Sequence, residues 1–528
     1  MKQYVTILCI LFIFQAVLFP GTGKGQTGGT LAVNFSDYPL SLDPETILMD
    51  TEKVLLANLH EGLVTWDDGM LIPAAAQRWE VSDNGRVYTF YLRESFWSNG
   101  DPITAHDFLS TWQRLLAPDS KFQYGFLFDI IVNVEAYRTG QIDSFSAVGI
   151  QAVDDKTLRV ELVRPAGHFL VLLALPYFFP VHYMYNTAGA LEEQRDYLPG
   201  FCSNGPFQVK EWEPRDYAVF VPNEYYLRER VQLERIKITF LPPTSSISLY
   251  AVGLLDVLED PPASAFPRHE QDLVQVSTMG TGYLYLNFQR PPLNNPLVRE
   301  ALALAIDRNY IAENILRLNG IPSTGLIPPG IPDRQTGDDF RKAGGNLLPA
   351  MDKEKALDLL YQAGYPGEDG LPELDLLAVE GGLSELTAGA VAEMWEANLG
   401  FTVNLKVVSW VQYNELCTTG RFYTARAGWI GDYPDPLDFL DLFYSGSAEN
   451  FSNYNNPEYD RWLLRARENL SAVESCQIYH ALEEMIVKER PVIPVYFSTK
   501  PYLVSLELQE LKFSPQGYPL FNTVRGKR

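Results

Sequence analysis

The chain has 528 residues, 46% hydrophobic and 20% charged, an ordinary globular balance over a length that exceeds a single hydrophobic core and suggests about two to four domains. With 42 Lys and Arg against 66 Asp and Glu the formal net charge is −24, which excludes the basic face a nucleic-acid binder needs. Tyr, Phe and Trp make up 13% of the residues; large cores account for that, and so does a ligand cleft lined with rings, which bury much area for little rotamer entropy.

In chain order the first signal is a targeting segment. Lys2 supplies a positive start, Tyr4 to Phe19 are almost wholly apolar, and Pro20 is followed by the small residues Gly21, Thr22, Gly23 and Gly25, so residues 1–25 read as a secretory signal peptide. The stretch is shorter than the roughly 20 residues that span a bilayer. Cys9 lies inside it without a lipobox, and no comparable apolar run follows. The expectation is a free periplasmic protein, with an uncleaved membrane anchor as the alternative. Cys202, Cys417 and Cys476 remain, enough for at most one disulfide, and without a CxxC pair they argue against a zinc or redox site.

Thr30 to Phe35 and Arg86 to Leu92 alternate as strands. Thr104 to Leu116 predicts a helix, capped by Thr104, with Phe108, Trp112 and Leu115 at helical spacing. His106 and Asp107 fall in its first turn, where polar groups satisfy free N–H groups, and are read as structural and not catalytic. Lys156 to Leu162 and three runs between Phe207 and Leu241 (FQVKEW, YAVFVP, ERIKITFL) are further strands. After Gly280 come a strand, Tyr283 to Phe288, and two helices, Leu297 to Ile306 and Ile311 to Leu318. Helices and strands then alternate (353–363, 374–379, 385–399, 403–408), an α/β pattern. Helices at 458–467 and 472–489 and strands at 492–497 and 502–504 close the chain. There is no internal repeat and no low-complexity linker, so the domains are expected to interleave along the sequence.

One cluster carries the chemistry, Arg426 to Pro436 (RAGWIGDYPDP). A strand ends at a glycine turn and a helix follows, which Asp435 can cap. Pro434 and Pro436 hold the neighbourhood of Asp432 extended. A carboxylate beside Trp429 and Tyr433 suits an alkylammonium group, the charge pairing with Asp and the rings excluding water; a turn aspartate bonding its own backbone is the other reading. The six His (His60, His106, His168, His182, His269, His480) form no HExxH, and neither GxSxG nor GxxxxGK[ST] occurs, so no catalytic residues, metal site or cofactor are expected.

The order of several motifs resembles the family 5 extracellular solute-binding proteins of ABC importers, the group of the oligopeptide- and dipeptide-binding receptors. They are LDPE (Leu42 to Glu45), HEGL (His60 to Leu63), the stretch Ala74 to Thr104 with WSNGDPIT, NGPF (Asn204 to Phe207), PLVREALALAIDR (Pro296 to Arg308), RAGW and NYNNPEYD. The resemblance implies an α/β fold of the type II-like periplasmic binding protein, with two lobes about a hinge and three domains. These are domain I at 28–60, 183–278 and 498–528, domain II at 61–182, and domain III at 279–497. It implies a short peptide ligand, permease subunits in the inner membrane as partners and a monomeric receptor. By the same resemblance Asp432 would meet the peptide's α-ammonium beside Trp429 and Tyr433, Arg426 and Arg290 would meet its carboxylate, and Tyr124 would face the ligand. The disulfide of similar receptors would join positions occupied here by Gly280 and Ile430, and their acidic ligand residue is here Leu48, with Asp50 close by. Other solutes of the family (murein peptides, metal chelates, haem, oligosaccharides), an envelope chaperone role and a peptide hydrolase are the alternatives.

Overall fold

The computed structural model describes residues 29–67, 69–182, 201–213, 215–228, 230–366, 370–468 and 470–525. The expected signal peptide and the segment 183–200 lie outside the described residues.

One sheet runs through both halves of the molecule. Its strands, edge to edge, are Val403–Val408, Leu374–Val379, Thr424–Ile430, Leu273–Leu286, Val492–Val504, Val257–Glu259, Thr30–Asn34, Arg235–Thr239, Tyr217–Pro222 and Phe207–Glu213. Two long central strands, of 14 and 13 residues, carry the sheet from one half to the other. They pair from Leu273 opposite Leu503 to Ser277 opposite Thr499; the register then slips, and pairing resumes with Gly280 opposite Ser498. Met279, at the slip, has φ = 50°, a left-handed conformation a non-glycine side chain seldom takes outside bulges and functional bends.

Separate cores lie on the two sides of the slip. Leu31, Val33, Phe35, Phe220 and Ile236 belong to one, which continues into Trp97, Phe108, Trp112 and Phe178. Leu284, Leu302, Leu376 and Trp395 fill a second, and Tyr283, Phe439, Tyr459 and Leu482 a third. The result is a two-lobed α/β molecule. On the first lobe stands an antiparallel sheet in the order Ala76–Val81, Val87–Leu92, Thr157–Glu161, Ile150–Asp154. The helix Ala105–Leu115 buries Phe108, Thr111, Trp112 and Leu115. Its N-cap Thr104 N–H donates to the Asp107 carboxylate at 2.8 Å, so Asp107 satisfies the helix start as expected.

Four expected elements differ. The strand read at Tyr283 begins at Leu273, and the two closing strands are one, Val492–Val504. Thr278, Ser498, Thr499 and Lys500 face the space between the lobes, so the hydrophobic alternation that marks a buried strand breaks there although the ladder continues. The helix read at Ile311 to Leu318 is a wide π turn, Ile311–Leu316, running into a tight one, Arg317–Asn319. Cys202, Cys417 and Cys476 are all buried.

Candidate functional site

Where the two long strands cross, the lobes enclose a cavity of about 570 Å³. The first lobe contributes Asp50, Lys53, Tyr124, Tyr177, Asp260, Lys500 and Tyr518; the second contributes Asn319, Leu383, Ile430, Asp432 and Tyr496. A further space of about 830 Å³ adjoins it, Pro176 and Tyr518 lining both.

Asp432 reaches the cavity because the strand Thr424–Ile430 ends beside it. That strand pairs in register with Leu273–Leu286, Gly280 opposite Ile430 and Thr281 opposite Trp429. The two positions assigned by resemblance to a missing disulfide are thus cross-strand neighbours. Past the turn at Gly431, Asp435 accepts the Leu437 N–H at 2.9 Å and caps the helix Pro436–Leu440. The Asp432 backbone N–H donates to Asp438 Oδ2 at 3.1 Å, and the Trp429 indole N–H donates to the same oxygen at 2.9 Å. The Asp432 carboxyl makes no hydrogen bond or ion pair with any described residue, its own backbone included. Burial, with the Glu449 charge added, pushes it up to about 6, and Lys53 on the other lobe only partly opposes this.

Tyr124 stacks on Tyr177 with ring centroids 4.0 Å apart, and Lys53 Nζ lies 5.7 Å from the Tyr124 centroid. Lys53 pairs with Asp50 at 3.4 Å; Lys500 bridges Glu259 at 3.1 Å and Asp50 at 3.5 Å. Asp260 is pushed up to about 6 by burial and the neighbouring Glu259 charge, against the pull of Lys500.

Of the six residues expected at the site, Asp432 and Tyr124 line the cavity. Trp429 and Arg426 stand one layer behind. The Arg426 guanidinium donates to the hydroxyl of Tyr496, which does line it, and lies 5.5 Å from that ring. Tyr433 packs into the first lobe's core and stacks on His168 with centroids 5.4 Å apart. Close by, Arg334 pairs with buried Asp435 and donates to the Gly167 carbonyl at 2.9 Å, so this corner is a contact between lobes. Arg290 donates to the Gly420 carbonyl at 2.9 Å and stands 6.0 Å from the Tyr423 ring, outside the cavity wall. Sequence reasoning missed Lys53, Lys500, Asp260 and Tyr177. The one available signal was the break in alternation at Ser498 to Pro501, where a lysine interrupts a core strand.

The family described as bacterial extracellular solute-binding proteins, family 5 (middle), matches residues 70–451. The dipeptide-binding protein DppE of Bacillus subtilis is 30% identical over 94% of this chain and 92% of its own length. The periplasmic murein peptide-binding protein MppA of Escherichia coli is 30% identical over 99% and 97%. The unliganded open form of MppA superposes with a TM-score of 0.82 at 28% identity, covering 96% of this chain and 99% of that one; another structure of MppA reaches 0.67 over 95% and 99%. The oligopeptide-binding protein OppA of Haemophilus influenzae in complex with RPPGFSPFR reaches 0.66 at 26% identity over 95% and 100%. The better superposition is on the unliganded open form, so the lobes here stand close to that arrangement. The chain belongs to the family 5 extracellular solute-binding proteins, and its fold is the two-lobed type II-like arrangement of periplasmic binding proteins. Members of the family are periplasmic or extracellular binding proteins.

Proposed function

We propose that this family 5 receptor captures short peptides in the cavity between its lobes and delivers them to the permease of an ABC importer. One observation carries the reading: a carboxylate, Asp432, faces the interlobe cavity without an ion-pair partner among the described residues, in a setting that raises it to about 6. Such a group awaits a positive charge, and a peptide's amino terminus supplies one together with backbone donors and acceptors for the walls. The dipeptide-, murein peptide- and oligopeptide-binding relatives support the same ligand class.

On this reading the open lobes present a wet cleft, and a peptide bound by both lobes favours the closed state by its differential affinity. Asp432 takes the ammonium. Tyr124 and Tyr177 form the wall across from it, and Trp429 stands beside it. Arg426, through Tyr496, and Arg290 are the candidates for the peptide carboxylate once the lobes close. The hinge lies at the register slip between Ser277 and Gly280. It divides domain I (28–60, 183–278, 498–528) and domain II (61–182) from domain III (279–497). The protein acts as a binding protein and not an enzyme, as an exported periplasmic monomer.

A thermal-shift screen of dipeptides to pentapeptides, a γ-linked murein tripeptide, sugars and metal chelates tests the reading, because a ligand that binds only the native state raises the melting temperature. Mass spectrometry of ligand co-purified with the native protein is the second arm. Stabilisation by sugars or chelates alone, with no response to any peptide, would refute it.

A further inference from the structure

A second carboxyl stands directly behind Asp432. Asp438, in the helix Pro436–Leu440, is 6% exposed. Its Oδ2 accepts both the Trp429 indole N–H at 2.9 Å and the Asp432 backbone N–H at 3.1 Å. Gly431 leaves room for this approach, since a Cβ there would stand 3.1 Å from the same oxygen. The charged and titratable groups that face Asp438 are Asp432 in the loop, Asp441 in the following turn and the Tyr433 hydroxyl. Asp432 and Asp441 oppose a negative charge there, and Asp438 forms no ion pair among the described residues. Burial and these acids hold its carboxyl well above the usual range. A negative charge on the buried Asp438 is therefore disfavoured by burial and by the neighbouring Asp432 charge, while Asp432 opens onto the cavity.

We infer that Asp438 is the positioning residue of the ligand site: one of its carboxyl oxygens fixes both the loop that aims Asp432 at the ligand and the Trp429 indole beside it. The inference rests on the peptide reading of this cavity. The side chain acts as a bracket. Both its bonds come from N–H groups, so an amide oxygen serves as well as a carboxyl oxygen, and a hydrocarbon serves not at all.

The test measures affinity for tri-alanine and for N-acetyl-tri-alanine at pH 7.5 and 5.5 in the parent, Asp438→Asn and Asp438→Leu. The parent prefers the free amine. Asp438→Asn keeps that preference within about threefold and keeps its pH dependence, because the acceptor survives. Asp438→Leu lowers the preference about tenfold, the loss of roughly one hydrogen-bonded bracket. A merely structural role would lower both affinities together and leave their ratio unchanged. If Asp438→Asn loses the preference as fully as Asp432→Asn does, Asp438 acts as a charge and the inference is overturned; it is equally overturned if Asp438→Leu keeps the ratio. Should the leucine variant not fold, the asparagine arm decides alone between bracket and charge. A parent that does not distinguish the two peptides defeats the peptide reading itself, whereas a discriminating parent with an unaltered leucine variant defeats only this inference.

Discussion

Replacing Asp432 by Asn and varying pH give one experiment with a computable outcome. Its carboxyl sits at about 6 in the unliganded protein against an ordinary 3.8, and at about 1.4 kcal/mol per pH unit this difference is worth roughly 3 kcal/mol. A bound ammonium restores the ordinary value by pairing with the charge, so that energy is returned on binding and is absent in Asp432→Asn. The expected loss is therefore about 3 kcal/mol, roughly 150-fold in affinity, within the range found when one side of a buried pair is removed. The sign with pH follows. The unliganded protein holds the proton more tightly than the complex, so acid competes with the ligand. Affinity is nearly flat above pH 7 and falls about tenfold between pH 7.5 and 5 as Asp432 is protonated. Isothermal titration in two buffers of different ionisation enthalpy reads both the affinity and the proton released below pH 6. Asp260, also raised to about 6 in the same cavity, adds its own pH response, so the diagnostic is the difference in slope between parent and Asp432→Asn. Equal slopes, or an asparagine variant within twofold of the parent at pH 7.5, would refute the assignment of the ammonium to Asp432.

Arg341 and Glu483 form a buried pair, 5% and 0% exposed, and the Glu483 carboxylate also accepts the Leu326 and Ile327 N–H groups at 2.8 and 2.9 Å. Arg341→Met strands that charge and is expected to cost roughly 3–5 kcal/mol in urea unfolding of the second lobe. Gly517 has φ = 81°, and a Cβ there would lie 2.7 Å from the Ser277 carbonyl oxygen at the register slip. Gly517→Ala should lower the melting temperature by several degrees more than Gly140→Ala, whose φ of 72° is similar but whose Cβ meets nothing within 4 Å. His60, 3% exposed with Nδ1 3.0 Å from Asn204 Oδ1, is held down to about 4 by burial. A histidine depressed in the folded state is protonated first in the unfolded chain. Its contribution is therefore intact above pH 6.5 and drains at up to about 1.4 kcal/mol per pH unit between 6.5 and 4. His60→Gln should flatten that part of the stability profile, and an imidazole resonance titrating above pH 6 would contradict it.

The helices were legible because each buries one side. Phe108, Trp112 and Leu115 recur at the period of Ala105–Leu115, and Asn456 with Pro457 announces the helix that follows it. The crossing strands were not, since Thr278–Met279 and Ser498–Lys500 lie where two cores stop and water enters, and no period of two survives there. Site residues divide the same way. Asp432 came from a motif whose neighbours are local in sequence, and Tyr124 from the resemblance to the family. Lys500 and Asp50 stand 450 residues apart and meet only because the last long strand returns to the first lobe. No local pattern encodes a contact made by topology. Arg290 carried a motif signal but its side chain is spent on the Gly420 carbonyl in this open arrangement.

That open arrangement also explains why the Asp432 carboxylate is left without an ion-pair partner among the described residues. A receptor must close when loaded and stay open when empty, and a ligand can shift that balance only by what it binds differently in the two states. Had Asp432 a lysine partner in the open form, an incoming ammonium would replace one ion pair by another and gain little. Left unpaired, the carboxylate already resists burial while the lobes are apart, and closing them empty would strip more water from it at greater cost. An ammonium reverses the sign of that cost at the moment of closure. Lys53 is held off this role by its own pair with Asp50, which keeps the first lobe's cation engaged while the second lobe's anion waits.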